Sequence, residues 1–294
     1  MDGREALAVS FEAHRGHLRA VAYRMLGSLS EADDAVQETW LRLDRSDTGD
    51  VMNLGGWLTT VIGRVCLDML RARTSRGELP LDRRLPDPVI SSAEHVDPEN
   101  EVLLADSVGL ALLVVLDALE PAERLAFVLH DTFGVPFDQI AALVGRSPAA
   151  TRQLASRARR RVRQSTVEPD ADPATQRLVV EAFLSAARRG DFDALVALLD
   201  PDVLVRADTG RPPVRVVRGP GRVAENALAF SGAAAGARLA VVNGSTGIVA
   251  SVNGRPVSVM GFAVRRGRIV EIDILTDPGR LRRLDPASNG ARSE

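Results

Sequence analysis

Apolar residues recur at helical spacing through the first quarter of the chain. Phe11, Leu18, Val21, Ala22, Met25 and Leu26 mark one helix, which Gly27 ends. Ser30 with Asp33 reads as a capping box that starts a second helix, with Ala35, Val36, Thr39, Trp40 and Leu43 on its apolar face. Beyond the polar stretch Ser46–Asp50, a third helix is predicted from about Gly55 to Arg73, with Trp57, Leu58, Val61, Ile62, Val65, Leu67 and Leu70 as its apolar set. Between Gly77 and Pro98 the pattern lapses. Pro80, Pro86, Pro88 and Pro98, several acids and few bulky apolar residues predict an extended linker. Helical periodicity returns at Glu101–Leu119 and at Pro121–Asp131, where Pro121 suits a first helical position.

The texture changes again after Glu168–Pro173. Leu178–Arg188 and Asp191–Leu199 read as short helices, the second capped by Asp191. Alternation then takes over, predicting strands at Val203–Ala207, Val214–Val217, Leu239–Asn243, Ile248–Val252, Val257–Val264 and Ile269–Leu275. Asn253–Gly254 and Arg266–Gly267 are hairpin signals. Helices followed by an antiparallel meander make an α+β domain.

Between these parts lies Val135–Arg163. Phe137, Ile140, Ala141 and Val144 form the buried side of a short helix, Gly145 permits its left-handed end, and Ser147 caps a helix that begins at Pro148. Two helices so joined match a helix-turn-helix, whose second helix carries Ala149, Thr151, Arg152, Gln153, Ser156 and Arg157 near its exposed N-terminal half. Arg and Gln suit base edges and phosphates, and Ser147 with the helix N-terminus can hold a phosphate oxygen.

Charge sharpens this picture. The chain has 294 residues, a net charge of −2 and 37 basic residues. All of these are Arg, which excludes Schiff-base chemistry and a P-loop lysine. No acid occurs from Gln139 to Val167, where Arg146, Arg152, Arg157, Arg159, Arg160, Arg161 and Arg163 cluster. One basic block in a near-neutral chain points to a polyanion-binding face. The single cysteine, Cys66, excludes an internal disulfide framework and a Cys-rich metal centre. No apolar run approaches the roughly 20 residues that span a bilayer. The start lacks the order of a signal peptide, so a cytoplasmic protein without membrane contact is expected.

In chain order, SEADDAVQETWLRL, then LGGWLTTVIGRVCLDMLRARTSR, then the helix-turn-helix resemble an extracytoplasmic-function sigma factor of the sigma-70 family over about Phe11–Arg163. The third unit resembles a SnoaL-like domain of the nuclear transport factor 2-like superfamily, so the whole is similar to the subgroup with a fused C-terminal extension, the sigma-J type. The resemblance implies two all-α sigma domains, the second a helix-turn-helix, followed by an α+β cone-shaped SnoaL-like domain. The boundaries are 1–76 for region 2, 77–100 for a linker, 101–165 for region 4, 166–174 for a second linker, 175–285 for the SnoaL-like domain and 286–294 for a tail.

It further implies a transcription initiation factor that binds core RNA polymerase through its β′ and β subunits and recognises −10 and −35 promoter elements. Asp34, Gln37 and Glu38 fall on the surface that docks on the β′ clamp helices. Asn53–Arg73 corresponds to the part that opens the −10 element, a task needing apolar walls for an unstacked base and cations along a single strand. Trp57 is the candidate wall, with a core role as its alternative; Arg64, Arg71 and Arg73 are the candidate phosphate contacts. Many family members carry Arg-Asn in this helix where this chain has Arg64-Val65. For the −35 element the matching residues are Ser147, Thr151, Arg152, Gln153 and Arg157, with Arg159, Arg160, Arg161 and Arg163 on phosphates.

In the third unit the resemblance points to a glycine-rich motif, here Asp208-Thr209-Gly210-Arg211, and to a second near the end, here Thr276-Asp277-Pro278-Gly279-Arg280-Leu281. Asp208, Gly210 and Arg211 are expected at a regulatory contact with the linker and sigma domains. All four histidines, Tyr23, Cys66 and both tryptophans lie outside this unit, so acid–base chemistry in it would rest on residues such as Asp208, Glu225 and Asp273. A non-enzymatic regulatory domain without metal or cofactor is therefore expected, with room left for a small-molecule ligand in its pocket. The alternative is a one-component helix-turn-helix regulator with a small-molecule-binding domain, which would need neither the acidic helix nor the Trp57 helix.

Overall fold

A computed structural model describes residues 3–46, 51–75, 84–91, 109–165, 172–229, 232 and 235–284. They form two compact units, the first drawn from Met1–Pro80 and Val115–Ser165, the second from Leu81–Val114 and Thr166–Glu294.

In the first unit, α1 (Gly3–Leu26), α2 (Leu29–Asp44) and α3 (Leu54–Ser75) pack around Phe11, Leu18, Met25, Leu43, Leu58, Ile62 and Leu67. Gly27 takes the left-handed conformation (φ 70°) that ends α1. The expected capping box is absent. Ser28 precedes α2 as its N-cap without a side-chain bond, and Asp33 instead accepts from Arg19 Nε of α1 at 2.7 Å. An interhelical partner has outcompeted the local one.

The helix-turn-helix module follows as α4 (Leu110–Asp117), α5 (Pro121–Phe127) running into a π-helical turn (Val128–Thr132), α6 (Phe137–Val144) and α7 (Pro148–Ser165). The helical expectation for 101–108 lies outside the described residues, as do most of both expected linkers and the tail at 286–294. The two helical modules meet at Gly63 of α3. A Cβ there would stand 3.0 Å from Leu129, 3.4 Å from Leu125 and 3.6 Å from Leu143. Beside this seat the buried Arg124 donates from Nε to Arg24 O at 3.3 Å and pairs with Asp117 at 2.8 Å.

In the second unit, the described residues after 165 open with α8 (Pro173–Arg189), whose N-cap Asp172 accepts from Ala174 N and Thr175 N. Next comes α9 (Phe192–Leu198), capped by Asp191. A seven-stranded sheet follows in the order β1-β4-β5-β6-β7-β2-β3. Its strands are β1 (Ile90–Ser91), β2 (Leu199–Asp208), β3 (Arg215–Arg218), β4 (Ala237–Val242), β5 (Ser245–Val252), β6 (Arg255–Arg265) and β7 (Arg268–Leu275). Only β4 to β7 form the expected meander; β2 lies parallel to β7 and carries β3 on its other edge. Among the described residues, the helices α10 (Pro220–Ala229) and α11 (Pro278–Leu284) are not legible in the sequence pattern.

Alternation along the strands divides the sheet between two cores. On one face Val203, Val205, Ile248, Phe262 and Ile272 pack with Val180, Phe183, Leu184 and Leu195 of α8 and α9. A second cluster joins Ala240, Val242, Val249, Val259 and Leu275 to Leu281, with Ile90 and Leu284 against it. Ile90 belongs to the stretch that reads as linker. It is extended, as its prolines require, but it is a strand of this sheet.

Candidate polymerase and nucleic-acid interfaces

On α2, Asp34 and Gln37 stand exposed one turn apart, and Leu41 continues the stripe at 37% exposure. Glu38 is half-buried and accepts from Arg42 Nε at 2.9 Å, an i,i+4 pair within the helix. Trp40 is not on this stripe; its ring tilts against Phe11 at 5.1 Å.

The start of α3 is fixed by Asn53, whose Oδ1 accepts from Gly56 N at 3.0 Å. Trp57 is half-buried, and Arg64 and Arg71 stand exposed at seven-residue spacing along the same side of the helix. Arg73 is engaged within the molecule, pairing with Glu31 and donating to Leu26 O at 3.3 Å. Met52, beside the Asn53 cap, is fully exposed at 102%. A lone methionine in a polar stretch carries no periodic signal, so nothing in the sequence marks it.

In the helix-turn-helix, Gly145 has φ 69° and Ser147 Oγ accepts from Ala150 N at 3.2 Å. Arg152, Gln153, Ser156, Arg157, Arg160 and Arg161 line one exposed face of α7, and Arg163 is exposed near its end. Thr151 does not join them. It is fully buried, with its hydroxyl donated to Ser147 O at 3.0 Å, so it belongs to the packing of the turn and not to a DNA contact. The error is rotational: Thr151 is followed by Leu154, Ala155 and Ala158 on the core side.

Aromatic rings and acids hold the basic face in place. The Arg152 guanidinium lies 5.6 Å over the Phe137 ring, which stacks on His130 at 3.8 Å. His130 Nδ1 is in turn 3.0 Å from Val135 O. Arg159 pairs with Asp131 at 2.6 Å. Arg157 and Arg161 each reach the buried Glu123 of α5 at 2.9 Å. From sequence Phe137 reads only as core, and Glu123 as a favourable acid in a first helical turn.

In the second unit Asp208 is buried at the end of β2 and gathers an ionic cluster. Its Oδ2 accepts from Leu85 N at 2.8 Å and from Arg280 Nη1 at 2.7 Å, and its Oδ1 from Gly210 N at 2.9 Å. Arg280, also buried, donates to Asp87 Oδ1 from Nε at 2.7 Å and to Leu85 O from Nη2 at 2.6 Å. Asp277 orders α11 by accepting from Gly279 N at 2.7 Å. Gly210 (φ 79°) lies against it, where a Cβ would fall 2.7 Å from Asp277 Cγ. Farther along, Val89 N donates to Asn243 Oδ1 at 3.1 Å and accepts at its carbonyl from Asn243 N at 2.8 Å. The strap 84–91 is thus tied to the sheet at both ends. Arg211 is exposed at the adjacent turn.

Of the acid–base candidates, Glu225 is exposed on α10. Asp273 shares Arg206 with Glu271: Arg206 Nη1 is 3.0 Å from Asp273 and also pairs with Glu271. Burial, and after it the Glu271 carboxylate, pushes the Asp273 carboxyl up to about 7 against the pull of Arg206. Arg206, Asp208, Glu271 and Asp273 fall between the strand positions that pack on α8 and α9, so they point away from the helix-lined face. Among the described residues no group of three His, Cys, Asp or Glu is placed to hold a metal ion, and no helix is long and apolar enough to cross a membrane.

Two segments of the chain match known families. Residues 10–76 match the Sigma-70 region 2 family and residues 109–162 match Sigma-70, region 4. The chain is 42% identical over 274 residues to the ECF RNA polymerase sigma factor SigJ of Mycobacterium tuberculosis, covering 90% of this chain and 86% of that one. It is 37% identical over 282 residues to the probable ECF RNA polymerase sigma factor SigI of the same species, covering 96% and 97%. The crystal structure of M. tuberculosis SigJ superposes with a TM-score of 0.77 at 36% identity, covering 95% of this chain and 99% of the other.

Proposed function

The chain belongs to the extracytoplasmic-function RNA polymerase sigma factors, and on that premise we propose that its C-terminal unit regulates promoter engagement in cis by holding the strap between the two DNA-reading regions. A sigma factor directs core RNA polymerase to promoters and carries out no covalent chemistry. A one-component regulator has no use for region 2, so the match at residues 10–76 disfavours that reading.

Asp34, Gln37 and Glu38 form the polymerase-facing surface. Trp57, Arg64 and Arg71 serve the opened −10 strand, with Arg73 bracing α3. Arg152, Gln153 and Arg157 meet the −35 element, supported by phosphate contacts from Arg159, Arg160, Arg161 and Arg163. The protein acts in the cytoplasm, where its polymerase is. Its C-terminal unit works as a regulatory fold and not as an enzyme.

The observation that carries the regulatory reading is the anchoring of residues 84–91 through Arg280, Asp208 and Asn243. In sequence this strap lies between region 2 and region 4. Elements named for positions −10 and −35 lie about 25 base pairs apart, about 85 Å of duplex at 3.4 Å per pair. In the first unit the two regions instead pack directly through Gly63, Leu125 and Leu129. They must part to reach both elements, and the chain joining them is held by the C-terminal sheet. A docked strap restrains that opening.

The test compares the full chain with one ending at Asp172. Both should bind core polymerase, while promoter output should differ. Equal output from the two would contradict regulation in cis.

A further inference from the structure

We infer that Glu123 is a positioning residue for −35 recognition, a buried carboxylate that sets the guanidinium groups of Arg157 and Arg161 on the DNA-facing side of α7. The inference rests on the assignment of that face to the −35 element. Glu123 is 4% exposed, and each of its oxygens serves a different arginine: Oε1 accepts from Arg157 Nε and Oε2 from Arg161 Nη1, both at 2.9 Å. The two arginine side chains remain 52% and 51% exposed. They are four residues apart on one helix and therefore project together.

The arrangement has a clear logic. A buried carboxylate that loses its cations is left unpaired, so Glu123 resists release of either arginine. Each guanidinium gives it one edge and keeps its remaining N–H donors for a phosphate or base edge. Two cations on one anion leave the pair of arginines net positive. Glu123 itself, buried and negative, cannot meet DNA; it acts through the side chains it orients.

The experiment uses polymerase holoenzyme carrying the full chain. Its probes are a duplex promoter enriched by the wild-type holoenzyme from a pool randomised at −35, and the same duplex with that element scrambled. Glu123→Gln should lower the matched-to-scrambled affinity ratio by about tenfold, the scale of one well-formed base contact. Affinity for the scrambled duplex should hold or rise, because the added net positive charge strengthens sequence-independent attraction. A merely structural role would weaken both duplexes alike.

In an Arg157→Ala background, Glu123→Gln should take little more from the ratio. If Glu123→Gln fails to fold, Glu123→Asp, with its carboxylate drawn back by one methylene, carries the same test with a smaller loss. An unchanged ratio, equal losses on both duplexes, or full additivity with Arg157→Ala overturns the inference. Arg152→Ala separates the two levels. If it lowers the ratio and Glu123→Gln does not, Glu123 alone is misassigned; if neither does, the −35 face itself is wrong.

Discussion

Replacing Arg280 with alanine removes the cation on which the strap depends. Arg280 is 4% exposed and is shared by two buried acids, Asp208 at 1% and Asp87 at 9%. It also donates to Leu85 O. Truncating one partner of a buried ion pair costs about 3–5 kcal/mol, because the remaining charge is left without compensation. Local release of residues 84–87 relieves part of that cost by letting Asp87 reach water. The Leu85 amide, donated to Asp208 Oδ2 in the native protein, is the reporter. If opening of the strap becomes easier by even 3 kcal/mol, its exchange with solvent deuterium should accelerate by about 100-fold. Amides of α3 in the first unit serve as the internal control and should keep their rates. Arg280→Lys should fall between, since an ammonium cannot bridge both acids with the fixed fork of a guanidinium. An unchanged Leu85 rate in Arg280→Ala would refute the reasoning, because it would mean that the remaining strap contacts suffice.

Two further expectations concern the separate units. Thr151→Val should leave −35 affinity intact and cost about 1 kcal/mol of stability through its buried hydroxyl, whereas Arg152→Ala should lower −35 affinity with stability unchanged; DNA binding and urea unfolding on both variants check the contrast. Asp273 tests pH linkage. Its folded carboxyl is raised to about 7, above its unfolded value, so stability from this group is present at low pH and is lost as pH rises from about 4 through about 7. Asp273→Asn abolishes that dependence, and its stability relative to wild type should grow by roughly 1–3 kcal/mol between pH 5 and pH 8. Urea unfolding followed by far-UV dichroism reads this, while emission from Trp40 and Trp57 isolates the first unit's transition. A flat or falling difference would contradict the assignment.

The sequence disclosed most where local chemistry decides structure. Gly145, Ser147 and Pro148 punctuate the helix-turn-helix so strongly that its two helices could be bounded within a residue or two. Asp191 likewise announced α9. Local signals mislead where a distant partner decides. Ser30 and Asp33 form a valid local cap signal, but Asp33 is claimed by Arg19 on the neighbouring helix. Thr151 fits the exposed half of a recognition helix by position, and only the packing of α7 turns it inward. The prolines of the strap correctly dictate extended backbone, yet nothing local shows that Leu85 will meet Asp208, 123 residues on. The parallel pairing of β2 with β7 has the same origin, since a meander is the simplest reading of consecutive strands. In the candidate interfaces the arginines were visible by count, while Glu123 and Phe137, which aim them, were not.

The most direct test of the central claim is to lock the strap reversibly. Ile90 faces Val242 across the antiparallel β1–β4 pair. The Asn243 N to Val89 O bond makes this a pair without mutual hydrogen bonds, the kind whose Cβ atoms approach most closely. Ile90→Cys with Val242→Cys should therefore form a disulfide. Cys66, buried with its thiol pushed up to about 12 by desolvation, should stay out of the exchange. Single-round transcription by the reconstituted holoenzyme is then measured before and after reduction. The account predicts low output with the strap locked and a several-fold rise once the disulfide is reduced. Equal output in the two states would contradict it.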